Sequence, residues 1–401
     1  MKKLLFKTAL LSLVITGALT SCNNKVEDTP EQFLRGGNSL TMAGDGNLVI
    51  AGYNSSSTYG YQAALVKVNT TTGDTVWSKM YGGSYSDAFF NVIRSRKNDG
   101  GFVATGFSNK ANGGSPSLLV VMADAAGKQS KFLTYASNSY SEGMSIVSNA
   151  DSGYLVGGFI QKTSASDRDL YLLRLRDDGT VIWEKSIGAK SSNNYDKVND
   201  AIYGIVADPT GGYYLTGSIN GGYNMEDGKI FLMKIAANGD SLWTKTYGTG
   251  FGYSLTLTTD GGIAICGSVV NASNQDAFLL KTDKDGNLVW PAAKTFGGTG
   301  YQYGASMVQT SDGGFAFTGI SDESNGLGLH DVYFVRTNAS GDKTWEKVYG
   351  GSDNDQGYGL VQGSDNNFYI TGLTNSGGSY IFLNKVDNTG AQVAGWPKNI
   401  K

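Results

Sequence analysis

A glycine that ends an apolar run recurs seven times in this chain, at Gly52, Gly106, Gly158, Gly217, Gly267, Gly319 and Gly372. The average step is about 53 residues, a period that belongs to repeat architectures and overrides a domain count drawn from length. Five residues before each of these glycines a tight turn ends: DGN, DGG, DSG, TGG, DGG, DGG and DNN. Residues of this kind accept the positive φ that hairpin turns demand. A second glycine follows 18 to 22 residues later, at Gly73, Gly127, Gly179, Gly239, Gly286, Gly341 and Gly390. Four residues beyond it stands Trp77, Trp183, Trp243, Trp290 or Trp345; the second copy has Lys131 there, and the seventh has Trp396, displaced by two. Six copies also carry a basic residue between the two glycines: Lys67, Arg174, Lys234, Lys281, Arg336 and Lys385. A carboxylate partner is one reading of these. We expect instead a solvated position on an outer strand, where ion pairs contribute little.

The cleanest copy, Tyr303 to Gly351, reads as four short strands joined by turns. Four such strands are weak alone, but stacking the groups buries their faces and closing a ring removes the exposed ends. The expected fold is therefore all-β, a seven-bladed β-propeller of four-stranded antiparallel blades filling residues 34–401. The blades fall at approximately 34–83, 84–137, 138–190, 191–249, 250–298, 299–351 and 352–401. One pattern separates a closed ring from an extended stack. About three residues into each innermost strand stands Ser39, Asn91, Ser145, Gly204, Ser254, Ser306 or Gly359, all small, as crowding at a central axis requires. The first copy opens with an inner-type strand and the last finishes with an outer-type one, so the ring should close between whole blades.

Residues 1–22 are expected to be removed. Lys2, Lys3 and Lys7 flank a mostly apolar run, Ala9 to Leu19, that is too short to span a bilayer. It ends in Leu19-Thr20-Ser21-Cys22, which resembles a bacterial lipobox. That resemblance implies a lipid on Cys22 that holds the protein at a membrane, most naturally the outer membrane, on its periplasmic side or at the cell surface. Residues 23–33 are polar and read as a flexible tether. Without the leader, 29 basic residues face 35 acidic ones, a net charge of −6, and no basic patch supports a nucleic-acid partner. The other cysteine, Cys266, lies inside an apolar strand and reads as a buried hydrophobe, so no disulfide is expected.

The stretch GGSDNDQGYGLVQGSDNNFYITGLTNS resembles the bacterial β-propeller repeat of secreted and surface proteins, and the G-x-x-x-W signature is similar to the docking motif of quinoprotein-like propellers. The resemblance spans roughly residues 34 to 401 and implies the fold. Such repeats serve scaffolds, binders and enzymes alike. Only the structural repeat matches, so no quinone cofactor is expected, nor any other.

Turns between first and second strands, and between third and fourth, are short and uniform. Second-to-third connections and the links between blades vary; in a propeller these share one face, and varied loops mark a binding surface. The links bring Tyr85, Asp87, Tyr140, Glu142, Tyr195, Asp200, Tyr253, Tyr301, Tyr303 and Asp355 toward the channel mouth. Tyrosine rings beside polar groups suit carbohydrate, the ring stacking on the sugar face. The competing reading is that the tyrosines pack between blades and the acids cap turns. We expect a monomeric binding or scaffold module whose ligand is a glycan or an envelope protein. The alternative is a carbohydrate-active, glycosidase-like enzyme using Asp87, Glu142, Asp200 and Asp355. His330, the sole histidine, stands alone in a variable loop, and the clustered His or Cys of a zinc site are missing, so no metal is expected. Thr310 to Phe317 mimics a sialidase-type Asp-box but sits in the first hairpin. Asp353 with Asp355 is an alternative calcium pair; Asp283 to Asn287 lacks the bidentate glutamate of an EF-hand.

Overall fold

A computed structural model of the protein describes residues 35–400 apart from 57–59, 84, 98, 110–114, 150–151, 162–166, 189–198, 222–227, 272–273, 323–328 and 376–377. The leader with Cys22, the tether and Tyr195 lie outside the described residues. Among the described residues all regular structure is β.

Hydrogen bonding groups the strands into six antiparallel sheets, five of four strands and one of seven. The larger sheet arises from one long strand, Ser241–Leu257. Its residues 241–249 pair with Lys229–Ile235, and its residues 250–257 pair with Ile263–Val270. That strand is at once the outer strand of one four-stranded unit and the inner strand of the next. The link there is only GTGFG, too short to leave the ladder. By register the described residues thus form seven four-stranded units in sequence order.

The units meet through a repeated contact. Thr105, Thr216, Thr318 and Thr371 lie fully buried on second strands, and each donates from Oγ1 to a third-strand carbonyl at 2.7 to 3.1 Å. Each then abuts a glycine on the next inner strand: Gly143, Gly252, Gly357 and, for Thr371, Gly37. The last of these seats the seventh unit on the first, so the ring closes through the interface its interior neighbours use. Leu40, Leu48 and Ile50 pack there against Tyr369, Ile381 and Leu383. Among the described residues no strand is exchanged across the closure. Between the sixth and seventh units the rings of Phe334 and Phe368 meet edge to face at 5.3 Å. Each such buried ring contributes roughly 1.5–3 kcal/mol relative to exposure.

The two glycine series have different physical causes. Those of the first, Gly52 to Gly372, have no positive φ; a Cβ at each would overlap the carbonyl oxygen of the residue just before its ladder partner, from Gly36 in the first unit to Gln356 in the last. Those of the second all adopt φ between 74° and 86° and form the floor on which the preceding unit's tryptophan rests. Trp77 lies over Gly127, Trp183 over Gly239, Trp243 over Gly286, Trp290 over Gly341 and Trp345 over Gly390. Leu133 substitutes over Gly179, where the second copy has no tryptophan. The stem of Lys398 covers Gly73, because Trp396 turns inward against Tyr369, ring centres 6.2 Å apart. Tyr81, Tyr135, Tyr247 and Tyr349 latch the same turns, donating to the carbonyls of Gly127, Gly179, Gly286 and Gly390 at 2.6 to 2.8 Å.

One expectation is corrected. Five of the six repeated basic residues are buried and Lys385 is half-buried, so they are not solvated outer positions. Lys67, Lys281, Arg336 and Lys385 pair with Asp45, Asp260, Asp312 and Asp365 at 2.5 to 2.9 Å, and Lys234 pairs with Asp208. Each aspartate belongs to the first hairpin turn, so the ion pair ties that turn to the third strand. Arg174 instead donates to the carbonyls of Tyr154 at 3.3 Å and Leu175 at 2.6 Å. A strand-period reading misses this because a long basic side chain on a third strand can run along the sheet to its end.

Candidate functional site: the axial cavity and its tyrosine collar

Every inner strand carries an irregularity at the same place. The ladder skips one residue in each: Asn38, Phe90, Met144, Tyr203, Tyr253, Ala305 and Tyr358. An extra residue of this kind bends the strand and re-aims its side chain. All seven of these residues line a central cavity of about 280 Å³. Behind them comes the tier of small residues, Ser39, Asn91, Ser145, Gly204, Ser254, Ser306 and Gly359, and all seven line the cavity too. A third tier is aliphatic, with Leu40, Val92, Ile146, Ile205, Leu255 and Leu360. The inner strands run parallel to one another around the axis, so the first tier lies nearest the inter-unit links.

The small tier is polar for a reason beyond size. Asn91 donates from Nδ2 to the Ser39 hydroxyl at 3.0 Å, and its Oδ1 accepts the Ile146 N–H at 3.1 Å. The Ser254 hydroxyl accepts the Met307 N–H at 3.3 Å and the Ser306 hydroxyl accepts the Leu360 N–H at 3.2 Å. All four bonds span two units, and the last three satisfy a backbone donor two residues beyond the skipped one.

Tyr203 and Tyr253 of the first tier form an aromatic arc with neighbouring rings. Tyr203 and Tyr253 have ring centres 5.2 Å apart, Tyr253 and Tyr303 5.7 Å, and Phe251 stacks on Tyr253 at 5.8 Å with the planes 7° from parallel. Tyr358 and Tyr53 extend the lining through the seventh unit to the first. Burial pushes the Tyr203 hydroxyl up to about 12 and raises those of Tyr53, Tyr253 and Tyr303, so all are neutral donors at physiological pH. The Tyr303 hydroxyl is buried without a hydrogen-bond partner from the chain. No charged side chain lines the cavity among the described residues.

The other sequence candidates sit around this collar. Tyr85 and Tyr301 are exposed. Asp87 and Asp355 are buried at the starts of their inner strands and accept the N–H groups of Gly83 at 3.4 Å and Gly351 at 2.7 Å, which caps the links. Asp200 accepts the Asn220 N–H at 2.7 Å, and burial raises its carboxyl to about 6. Gln302 holds the matching place in the sixth unit and accepts the Gly298 N–H at 3.3 Å. Glu142 is buried between the third and fourth units. Burial raises it to about 7, against the hydrogen bond from Tyr140 at 2.9 Å and the pull of Arg168, whose guanidinium lies 4.3 Å from the Phe159 ring centre. None of the four carboxylates lines the cavity. Sequence reasoning missed Phe90, Tyr203 and Tyr358; their shared distance from the small axial residue, one position before it, is the signal that finds them. Asp312 of the Asp-box-like stretch is engaged by Arg336 and Thr310. No cluster of three or more His, Cys, Asp or Glu fit for a metal occurs among the described residues.

The sequence matches no protein-family model, and no curated protein matches it. Solved structures do match in fold. The BP39L lectin from Burkholderia pseudomallei is 8% identical over 92% of this chain and 99% of its own, with a TM-score of 0.53. A europium-containing methanol dehydrogenase is 11% identical over 91% of this chain and 80% of its own, with a TM-score of 0.52. The β-propeller domain of the Trilobed protease from Pyrococcus furiosus, described as having an open velcro topology, is 9% identical over 89% and 94%, with a TM-score of 0.50. At these identities the likeness concerns fold alone, and the fold is a β-propeller.

Proposed function

We propose that this chain is a lipid-anchored, extracytoplasmic β-propeller that binds a neutral glycan end-on, at the tyrosine collar of its axial cavity. The observation that carries the reading is the collar itself. The skipped residues Phe90, Tyr203, Tyr253 and Tyr358, with Tyr53 and Tyr303 beside them, put rings around a single space lined by neutral polar and apolar groups, and the buried Tyr303 hydroxyl is left to donate. Aromatic faces stack on the apolar face of a sugar ring while neutral hydroxyls and amides take its hydroxyl groups. Charged ligands gain no partner there. A volume of about 280 Å³ lies just under the ~300–1,000 Å³ typical of small-molecule sites. It suits one terminal ring better than a chain lying flat. Support for the address is the Leu19-Thr20-Ser21-Cys22 sequence with its apolar leader.

The test is a glycan array probed with the purified protein, followed by titration of the best hit. Tyr253→Ala should abolish binding. Tyr303→Phe, which removes only the partnerless hydroxyl, should weaken it about 5- to 10-fold, the loss of roughly 1–1.5 kcal/mol for one neutral hydrogen bond. Unchanged affinity in both folded variants would place the ligand elsewhere, and binding to an envelope protein in the absence of any glycan hit would replace the reading.

A further inference from the structure

The junction between the sixth and seventh units holds two buried carboxylates with no basic partner. Asp331 begins the third strand of the sixth unit and Asp355 begins the inner strand of the seventh; each is 2% exposed. Both side chains flank Gly350, an Asp331 Oδ1 and an Asp355 Oδ2 each lying against the position a Cβ there would take. Asp355 Oδ2 accepts the Gly351 N–H at 2.7 Å. Asp331 Oδ1 has no hydrogen-bond partner, nor has the neighbouring Asn354 Oδ1. The strands are held together at this point by a bridge between His330 and Asn354, with the Asp355 N–H donating to the His330 carbonyl at 2.7 Å.

The charges acting on the pair are all acidic. Beyond its burial, Asp331 is raised by Asp355, and Asp355 in turn by Asp353. Buried carboxylates are ordinarily paired with a cation or coordinate one, because leaving them bare costs far more than any polar group. The same junction one unit earlier shows the neutral solution. There Gly297 is flanked by Asp276 and by Gln302, an amide in place of the second acid. The sixth-to-seventh junction keeps two acids, and the residue before Asp355, Asn354, has an unpartnered Oδ1.

We propose that Asp331, Asp355 and Asn354 bind a hard divalent cation, calcium in an extracytoplasmic setting, that clamps the seventh unit to the sixth. Carboxylate and amide oxygens with water completing the shell are the ligands calcium takes. With three side chains the affinity belongs in the 10⁻⁴–10⁻³ M range of extracellular modules. The site stands apart from the axial cavity and does not depend on the glycan reading.

The experiment is thermal unfolding of the purified protein in EDTA and in rising CaCl₂, with calorimetric titration of Ca²⁺ alongside. The melting temperature should rise and saturate with calcium, with one ion bound per chain, and Asp331→Asn should melt independently of it. Asp353→Asn, an exposed neighbour, should keep the response. Asn354→Ala, which keeps the backbone bridge to His330, should weaken binding several-fold and serves if Asp331→Asn does not fold. A wild-type melting temperature indifferent to CaCl₂ would overturn the proposal, and so would full calcium response in Asp331→Asn or Asn354→Ala. A shared proton in place of the ion would show as stability that falls with rising pH in EDTA and is not restored by calcium.

Discussion

Asp208→Asn should cost far more stability than the same change at the equivalent aspartates of the next two units. The repeat puts Lys234, Lys281 and Arg336 in matching positions, yet their partners differ. The side chain of Asp208 is 10% exposed, that of Asp260 59% and that of Asp312 66%. Lys234 is itself 9% exposed, with Nζ 4.0 Å from the Tyr214 ring centre and 3.1 Å from the Gly211 carbonyl oxygen. Neutralising Asp208 strands a buried ammonium, a change that costs about 3–5 kcal/mol. The ring and the Gly211 carbonyl remain, which places the loss at the lower end, roughly 3 kcal/mol. Asparagine can still accept the Thr210 N–H, so the turn itself survives. At Asp260 the carboxylate is largely in water, and Asp260→Asn should cost only about 0.2–1 kcal/mol.

Urea unfolding followed by circular dichroism measures both. The double variant Asp208→Asn with Lys234→Met should recover much of the loss, because no buried charge is left over. The pH dependence has a definite sign. Burial pushes the Asp208 carboxyl up, but hydrogen bonds from Lys234 and Thr210 outweigh it and hold it below its ordinary 3.8. Its contribution is therefore present above pH 3.8 and is lost as pH falls through the lower, folded value. The gap between wild type and Asp208→Asn should be flat near neutrality and narrow only in acid. Equal losses at Asp208 and Asp260, or a gap that narrows near pH 7, would refute the reasoning.

Three further outcomes follow from the same geometry. Gly319→Ala, whose Cβ overlaps the Tyr303 carbonyl, should lower stability by about 3 kcal/mol, whereas Gly46→Ala, strained only by its φ of 80° with open space around it, should cost about 1 kcal/mol by denaturation midpoint. Glu142, raised by burial to about 7 from 4.5, favours the folded state when protonated. That contribution is complete below pH 4.5 and lost as pH rises through about 7, and Glu142→Gln should flatten this part of the melting-temperature profile. Cys266, fully buried with its thiol raised by that burial, should resist a thiol-specific disulfide reagent in the native protein and react once the chain is unfolded.

Much of the fold was readable from residues one at a time. The turn residues of the first hairpins, the tryptophan and its glycine, and the small residue on each inner strand are local requirements of φ, of docking and of crowding. They recur with the period and announce themselves without coordinates. The site was readable only in part. Tyr253 and Tyr303 were singled out and line the cavity, but Tyr203, Tyr358 and Phe90 were not. The acids proposed beside them turn out to cap links or to lie between units.

By itself, then, the chain's sequence determined how many units there are, where each turns, and which ends of the strands carry variable loops, because those depend on backbone chemistry within a few residues. Only the tertiary structure decided which side chains share the axis and which charges are stranded. A skipped residue on an inner strand breaks the alternation of faces, so facing cannot be counted along the chain beyond it. Whether Asp208 or Asp312 is shielded from water depends on how each turn packs in three dimensions, and equivalent positions in a repeat carry no record of that.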